Sequence, residues 1–194
     1  GDWLTPHFNY EYRFEKPVLY YWLVALSFVV AGVGEAAARF PSALAGLGLV
    51  FLTFGCGRQW YGESTGFLAA MITATSFGCV AMARQALPDL TLAFFITLAT
   101  WAALAAWLDL QPEAGKVMDS GPSRRGWVLL AAVGAAGGLL TKGPVGIVLP
   151  VLIFAPLIAW EYMSGRSRPR LRKSDLLIAV LVVIVLAAPW FLGM

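Results

Sequence analysis

Seven apolar runs separated by short polar breaks account for most of the chain from residue 17 to residue 192. The first, 17–33, opens on Pro17, which a first helical turn tolerates because the N–H it lacks has no helical partner there. Its residues reach about 25 Å at 1.5 Å per residue, short of a hydrocarbon core of about 30 Å. It therefore fits a short span or a helix lying in the membrane interface. Tyr20, Tyr21 and Trp22 near its start favour the interface. The runs 40–57, 65–83, 90–108, 127–140, 145–163 and 176–192 are expected to form about six transmembrane spans. Small residues inside them, such as Ala43, Gly46 and Gly48, and later Gly66, Ala70 and Gly78, let helices approach closely. Residues 1–16 are polar, aromatic and turn-rich, and Pro6 and Asn9 argue against a long helix.

The breaks carry the orientation. The loops at 58–63, 109–126 and 164–175 are each two spans apart and so share a side. They hold Arg58, Lys116, Arg124, Arg125 and a basic stretch from Arg166 to Lys173. The positive-inside rule assigns that side to the cytoplasm. Three short breaks, Arg39–Ser42, Arg84–Asp89 and Thr141–Pro144, then face outward. Residues 1–16 join them as a periplasmic loop if 17–33 lies flat.

Composition narrows the class. The chain is 59% hydrophobic and 13% charged, against roughly 25% charged in soluble domains, so the expected fold class is an all-α, polytopic helical membrane bundle. The net charge of +3 is small. The basic stretch abuts an apolar run, which points to membrane lipids rather than nucleic acid. Cys56 and Cys79 sit inside apolar runs and read as small core residues rather than a disulfide or metal pair. No signal peptide is visible, and both ends are abrupt, so the chain is expected to be a piece of a longer one.

Charges on one face of three separate breaks exceed what anchoring requires, because ionisable groups near spans are costly to insert. The mixture suits a lipid phosphate: arginine forks pair with phosphate oxygens, lysine adds a point charge, and a carboxylate could take a proton from an attacking hydroxyl. A long apolar groove would hold a polyprenyl tail under an interfacial roof at 17–33. Plainer roles compete. Asp89 could only complement the next helix's N-terminus, and Lys142 could snorkel. Arg39 and Arg84 could be structural partners of Glu35 and Asp89. His7, the lone histidine, is a weak metal-ligand candidate.

Five stretches in order carry a resemblance: Gly1-Asp2-Trp3-Leu4-Thr5-Pro6-His7-Phe8-Asn9, Glu15-Lys16-Pro17-Val18-Leu19-Tyr20-Tyr21-Trp22, Ala38-Arg39-Phe40-Pro41-Ser42-Ala43-Leu44, Ala83-Arg84-Gln85-Ala86-Leu87-Pro88-Asp89 and Leu140-Thr141-Lys142-Gly143-Pro144. Together they resemble the bacterial branch of the protein mannosyltransferases, glycosyltransferase family 39, and especially the aminoarabinose lipid A transferases. The resemblance implies a GT-C fold in the bacterial inner membrane, with its site facing the periplasm. It implies transfer of a sugar from a polyprenyl-phosphate donor to a lipid or protein acceptor. By matching motifs, Lys16 would contact donor phosphate together with Arg84 and Lys142. Asp89 is the catalytic candidate within the chain, while Glu15, Arg39 and Tyr20 would shape the site. Glu15, and His7 more weakly, would hold a divalent metal if one is used; no other cofactor is expected. The family's upstream Asp-Glu pair, with the expected catalytic base, does not appear in this sequence. The alternative is a non-catalytic membrane subunit built on the same fold and packed with other membrane subunits in a larger complex.

Overall fold

The structure is a computed structural model and describes residues 7–8, 11–12, 17–108, 123–164 and 173–193. Among these residues a minimal antiparallel pair, β1 (His7–Phe8) with β2 (Glu11–Tyr12), precedes eight helices. Helix α1 (Leu19–Ala31) is 13 residues, about 20 Å long. It ends at Gly32, whose φ of 80° few side chains tolerate. Helix α2 (Glu35–Tyr61) is the longest at 27 residues and ends at Gly62, with φ 92°. The chain then reverses into α3 (Glu63–Thr75). Gly57 and Gly66 face each other closely enough that a Cβ on Gly57 would lie 2.8 Å from the Gly66 Cα. Helices α5 (Asp89–Leu108), α6 (Arg124–Lys142), α7 (Val145–Met163) and α8 (Lys173–Gly193) complete the bundle.

Two helices depart from the sequence pattern. The run 65–83, expected as one span, is α3 followed by α4 (Phe77–Ala83), bent by 57° at a break. Ser76 stops the first helix and caps the second: its hydroxyl accepts from the Cys79 N–H and donates to the Thr73 carbonyl. The supposed break at Arg39–Ser42 lies within α2, with Pro41 in its second turn. A proline there leaves the carbonyl four residues back without its helical donor. That carbonyl belongs to Ala37, and Ser27 of α1 donates to it at 2.6 Å. The side chain of one helix thus repairs the ladder of the next and docks α1 on α2.

Packing follows small residues. Helix α6 lies against α5 where Gly134 faces the Ala99 backbone and Gly137 meets the Phe95 ring. Gly138 faces Gly146 of α7 with no room for a side chain between them. One apolar cluster, Val18, Leu140, Ala187 and Trp190, joins α6 and α8 to the chain at the start of α1. A second, of Ala102, Ala105, Ala106 and Trp127, joins α5 to α6. Near it, Trp101 donates to Gln59, and Arg124 pairs with the buried Asp175, tying α6 to α8. Much apolar surface points outward, including Phe51, Leu152, Leu181 and Val185. In water this would be a liability; in lipid it is the expected exterior.

By length and composition α2, α5 and α8 can cross a membrane, and the bent α3–α4 pair makes a fourth. The apolar part of α7, Val145–Trp160, is shorter, as is α1. Helix α6 is rich in Gly and Ala rather than large apolar residues, because it is enclosed by α5, α7 and α8.

Candidate functional site

Contacts between Lys142 and Asp89, Ser42 and Leu87, Tyr20 and Ser42, and Gly143 and Pro17 bring the α4–α5 link, the α6–α7 turn, the start of α1 and the second turn of α2 together. Asp89 is the first residue of α5. Pro88 sets the approach, and its carbonyl accepts from the Leu92 N–H at 2.8 Å, starting the helix. A carboxylate there complements the positive end of the helix dipole. Lys142 is the last residue of α6. Gly143 follows with φ 70° and ψ −146°, a conformation close to glycine-only, and α7 begins two residues later.

The two charges meet. Lys142 Nζ donates to Asp89 Oδ1 at 2.5 Å across 53 residues of sequence, and both side chains keep about a third of their exposure (36% and 34%). Lys142 is therefore not merely snorkelling, and Asp89 is partnered by Lys142 rather than by Arg84. Arg84 closes α4 as an exposed residue and forms no ion pair among the described residues. Arg39 pairs instead with Glu35 one turn back, at 3.1 Å on the open surface of α2. Exposed pairs of that spacing contribute only about 0.3–0.5 kcal/mol. No hydrogen bond links Arg39 to the Asp89–Lys142 pair.

Tyr20 enters from α1. Its hydroxyl lies 2.9 Å from Ser42 Oγ, and Ser42 in turn donates to the Leu87 carbonyl at 2.8 Å. Around this network is a hollow of about 150 Å³ whose lining includes Pro17, Tyr20, Tyr21, Leu87, Pro88 and Thr141. It mixes polar and apolar surface, unlike the grooves nearby. Pro17 is the residue joined to Lys16. Lys16 and Glu15 lie outside the described residues, as does the side chain of His7, whose backbone belongs to β1. Among the described residues no group of three or more His, Cys, Asp or Glu side chains is placed to hold a metal ion.

Two apolar grooves lead away from this end. One, of about 440 Å³, runs between α1 and α2 past Leu26, Val30 and Phe40. The other, of about 400 Å³, runs between α2 and α5 past Phe51, Thr91 and Phe94. Leu23, Pro41 and Leu44 line both, so the two grooves adjoin there. Thr91 Oγ1 is buried beside it with no hydrogen-bond partner among the described residues.

The profile of the dolichyl-phosphate-mannose–protein mannosyltransferase family matches residues 1–194. The chain belongs to that family. Among its relatives, an uncharacterized protein of Aquifex aeolicus is 34% identical over 99% of this chain and 35% of its own length. The undecaprenyl phosphate-alpha-4-amino-4-deoxy-L-arabinose arabinosyl transferase of Pseudomonas paraeruginosa is 33% identical over the whole chain and 33% of its own length. In three dimensions the chain is similar to ArnT from Cupriavidus metallidurans in the apo state, with a TM-score of 0.80 and 27% identity over 98% of the chain. A second structure of that protein, bound to undecaprenyl phosphate, gives a TM-score of 0.75 and 30% identity. The bundle is thus of the GT-C membrane type expected from the sequence. The chain spans about a third of the length of these relatives.

Ser42 was not among the residues singled out for the site. The only signal for it was a small polar residue after Pro41 in an otherwise apolar run, which could equally have been helix packing.

Proposed function

We propose that this chain forms part of the membrane core of a glycosyltransferase that takes its sugar from a polyprenyl-phosphate donor. The acceptor is a lipid or protein hydroxyl or phosphate on the outer side of a bacterial inner membrane. The observation that carries this is the junction at the start of α5, where Asp89 holds a partly open ion pair with Lys142 and Thr91, two residues on, lines the apolar groove that adjoins the one between α1 and α2. Such a junction suits a molecule with an anionic head and a long hydrocarbon tail. The undecaprenyl phosphate held by the structurally similar ArnT is a ligand of that type. The relatives favour an enzyme over a non-catalytic subunit.

In the reaction an acceptor oxygen attacks the anomeric carbon, a hydroxyl acceptor giving its proton to a carboxylate base; the carbon–oxygen bond to the phosphate breaks, and polyprenyl phosphate leaves with the bonding electrons. Negative charge grows on the phosphate oxygens as the bond breaks, and an ammonium fixed beside them stabilises that change. Lys142 is assigned that task, with Lys16 and Arg84 completing the phosphate site. Asp89 spends one carboxylate oxygen on Lys142 and is assigned to holding that ammonium in place. Tyr20 shapes the wall beneath the roof formed by α1, which lies along the outer interface. A divalent metal at Glu15 and His7 would add Lewis-acid assistance; no step above depends on it.

The full-length protein tests these roles. Asp89→Asn and Lys142→Ala are each expected to lower turnover by on the order of 100-fold, the scale of losing one preorganised charge partner. Lys16→Ala is expected to raise the donor KM. Unchanged turnover in both Asp89→Asn and Lys142→Ala would remove the assignment.

A further inference from the structure

Ser42 is fully buried and sits where three elements meet. Its Oγ donates to the Leu87 carbonyl of the α4–α5 link at 2.8 Å and lies 2.9 Å from the Tyr20 hydroxyl of α1. A serine hydroxyl has one proton. Since that proton goes to Leu87, Tyr20 must be the donor of the other bond. The three groups form a directed chain, from Tyr20 O–H to Ser42 O–H to the Leu87 carbonyl. Leu87 lies outside any helix, two residues before Asp89, and its carbonyl is held from α2 rather than by a helical ladder.

We propose that Ser42 is a positioning residue for sugar transfer. It fixes the link that presents Asp89, and through Asp89 the Lys142 ammonium, relative to α1. This rests on the function proposed above. Helix α1 begins beside Pro17, next to Lys16, so the chain of hydroxyls connects one side of the phosphate site to the other. A loosened link would let the Asp89–Lys142 pair drift from the phosphate while leaving the apolar path that holds the tail intact.

Two readouts on the full-length protein test it. In transfer assays, Ser42→Ala is expected to lower kcat about 10-fold or more with donor KM changed less than 3-fold. Ser42→Cys, which keeps a weak donor in nearly the same volume, should recover part of the loss. Combined with Asp89→Asn, Ser42→Ala should cost nothing further, because it acts through that carboxylate. Equal losses in the wild-type and Asp89→Asn backgrounds would overturn the proposal, as would an unchanged kcat. The second readout needs no activity: with native cysteines replaced and a reporter at Arg84→Cys, Ser42→Ala should speed thiol labelling of the link several-fold. An unchanged labelling rate counts against Ser42 alone. Absent transfer in the unmutated enzyme counts against the proposed function, and leaves the labelling result to decide whether Ser42 holds the link.

Discussion

Gly143 lets Lys142 end one helix and still reach Asp89. With φ 70° and ψ −146° the backbone turns sharply into α7, and the nearest heavy atom to a side chain added there would be Pro17 Cγ at 3.9 Å. Space is therefore not the obstacle; conformation is. Gly143→Ala is expected to cost about 1–3 kcal/mol from the strained backbone alone, seen as a lower unfolding midpoint in detergent. An unshifted midpoint would mean that the turn adopts another conformation. At this scale the charged members of the site were legible, because Asp89 and Lys142 interrupt apolar sequence at a cost that plain anchoring does not explain. Their pairing was not. Arg84 is the cation nearest Asp89 in sequence, yet the partner is 53 residues away and is delivered only by the packing of α5 on α6. The sequence allows Arg39 either a place in the site or Glu35 as a structural partner, and the structure shows it on Glu35.

Among the elements, α1 and α2 show how one helix compensates another. Pro41 strips the Ala37 carbonyl of its helical donor, and Ser27 supplies one. Ser27→Ala leaves that buried carbonyl unsatisfied and should cost about 1–3 kcal/mol, with α1 loosening before the rest of the bundle. Hydrogen exchange across 19–31 would show this; unchanged protection there would mean that apolar contact alone docks α1. Hydropathy located the cores of the helices well, since each run had to be apolar wherever lipid or neighbours surround it. It failed at the α3–α4 break because a serine barely lowers the average, while its hydroxyl can end one helix and start another. It also turned part of α2 into a hinge, because proline and arginine look like a boundary when the compensating donor is 14 residues upstream.

For the whole molecule, the three outer segments and the basic loops were assigned to opposite faces from loop charge alone. The Asp89–Lys142 pair joins the start of α5 to the end of α6, so these two helices run antiparallel and their other ends lie together at the opposite end of the bundle. Ser42, proposed as outward-facing from the sequence, is fully buried and would report nothing from either side. Gln85 and Ser123 are exposed at opposite ends of the bundle. A thiol at Gln85→Cys is expected to react with an impermeant reagent applied from outside, and one at Ser123→Cys only after the membrane is opened. The reverse pattern would invert the orientation and place the site in the cytoplasm. The GT-C bundle was legible because seven apolar runs and five ordered motifs constrain it from end to end. The groove shared by α1, α2 and α5 was expected only as a general feature, since its walls come from residues that no local pattern brings together.

The most direct test is donor choice by the full-length protein reconstituted in liposomes. Labelled sugar should pass to an acceptor from a polyprenyl-phosphate donor, not from a nucleotide sugar, and Lys142→Ala should abolish most of that transfer. Equal transfer from a nucleotide sugar, or full transfer by the Lys142→Ala enzyme, would contradict a donor site built on the Asp89–Lys142 pair.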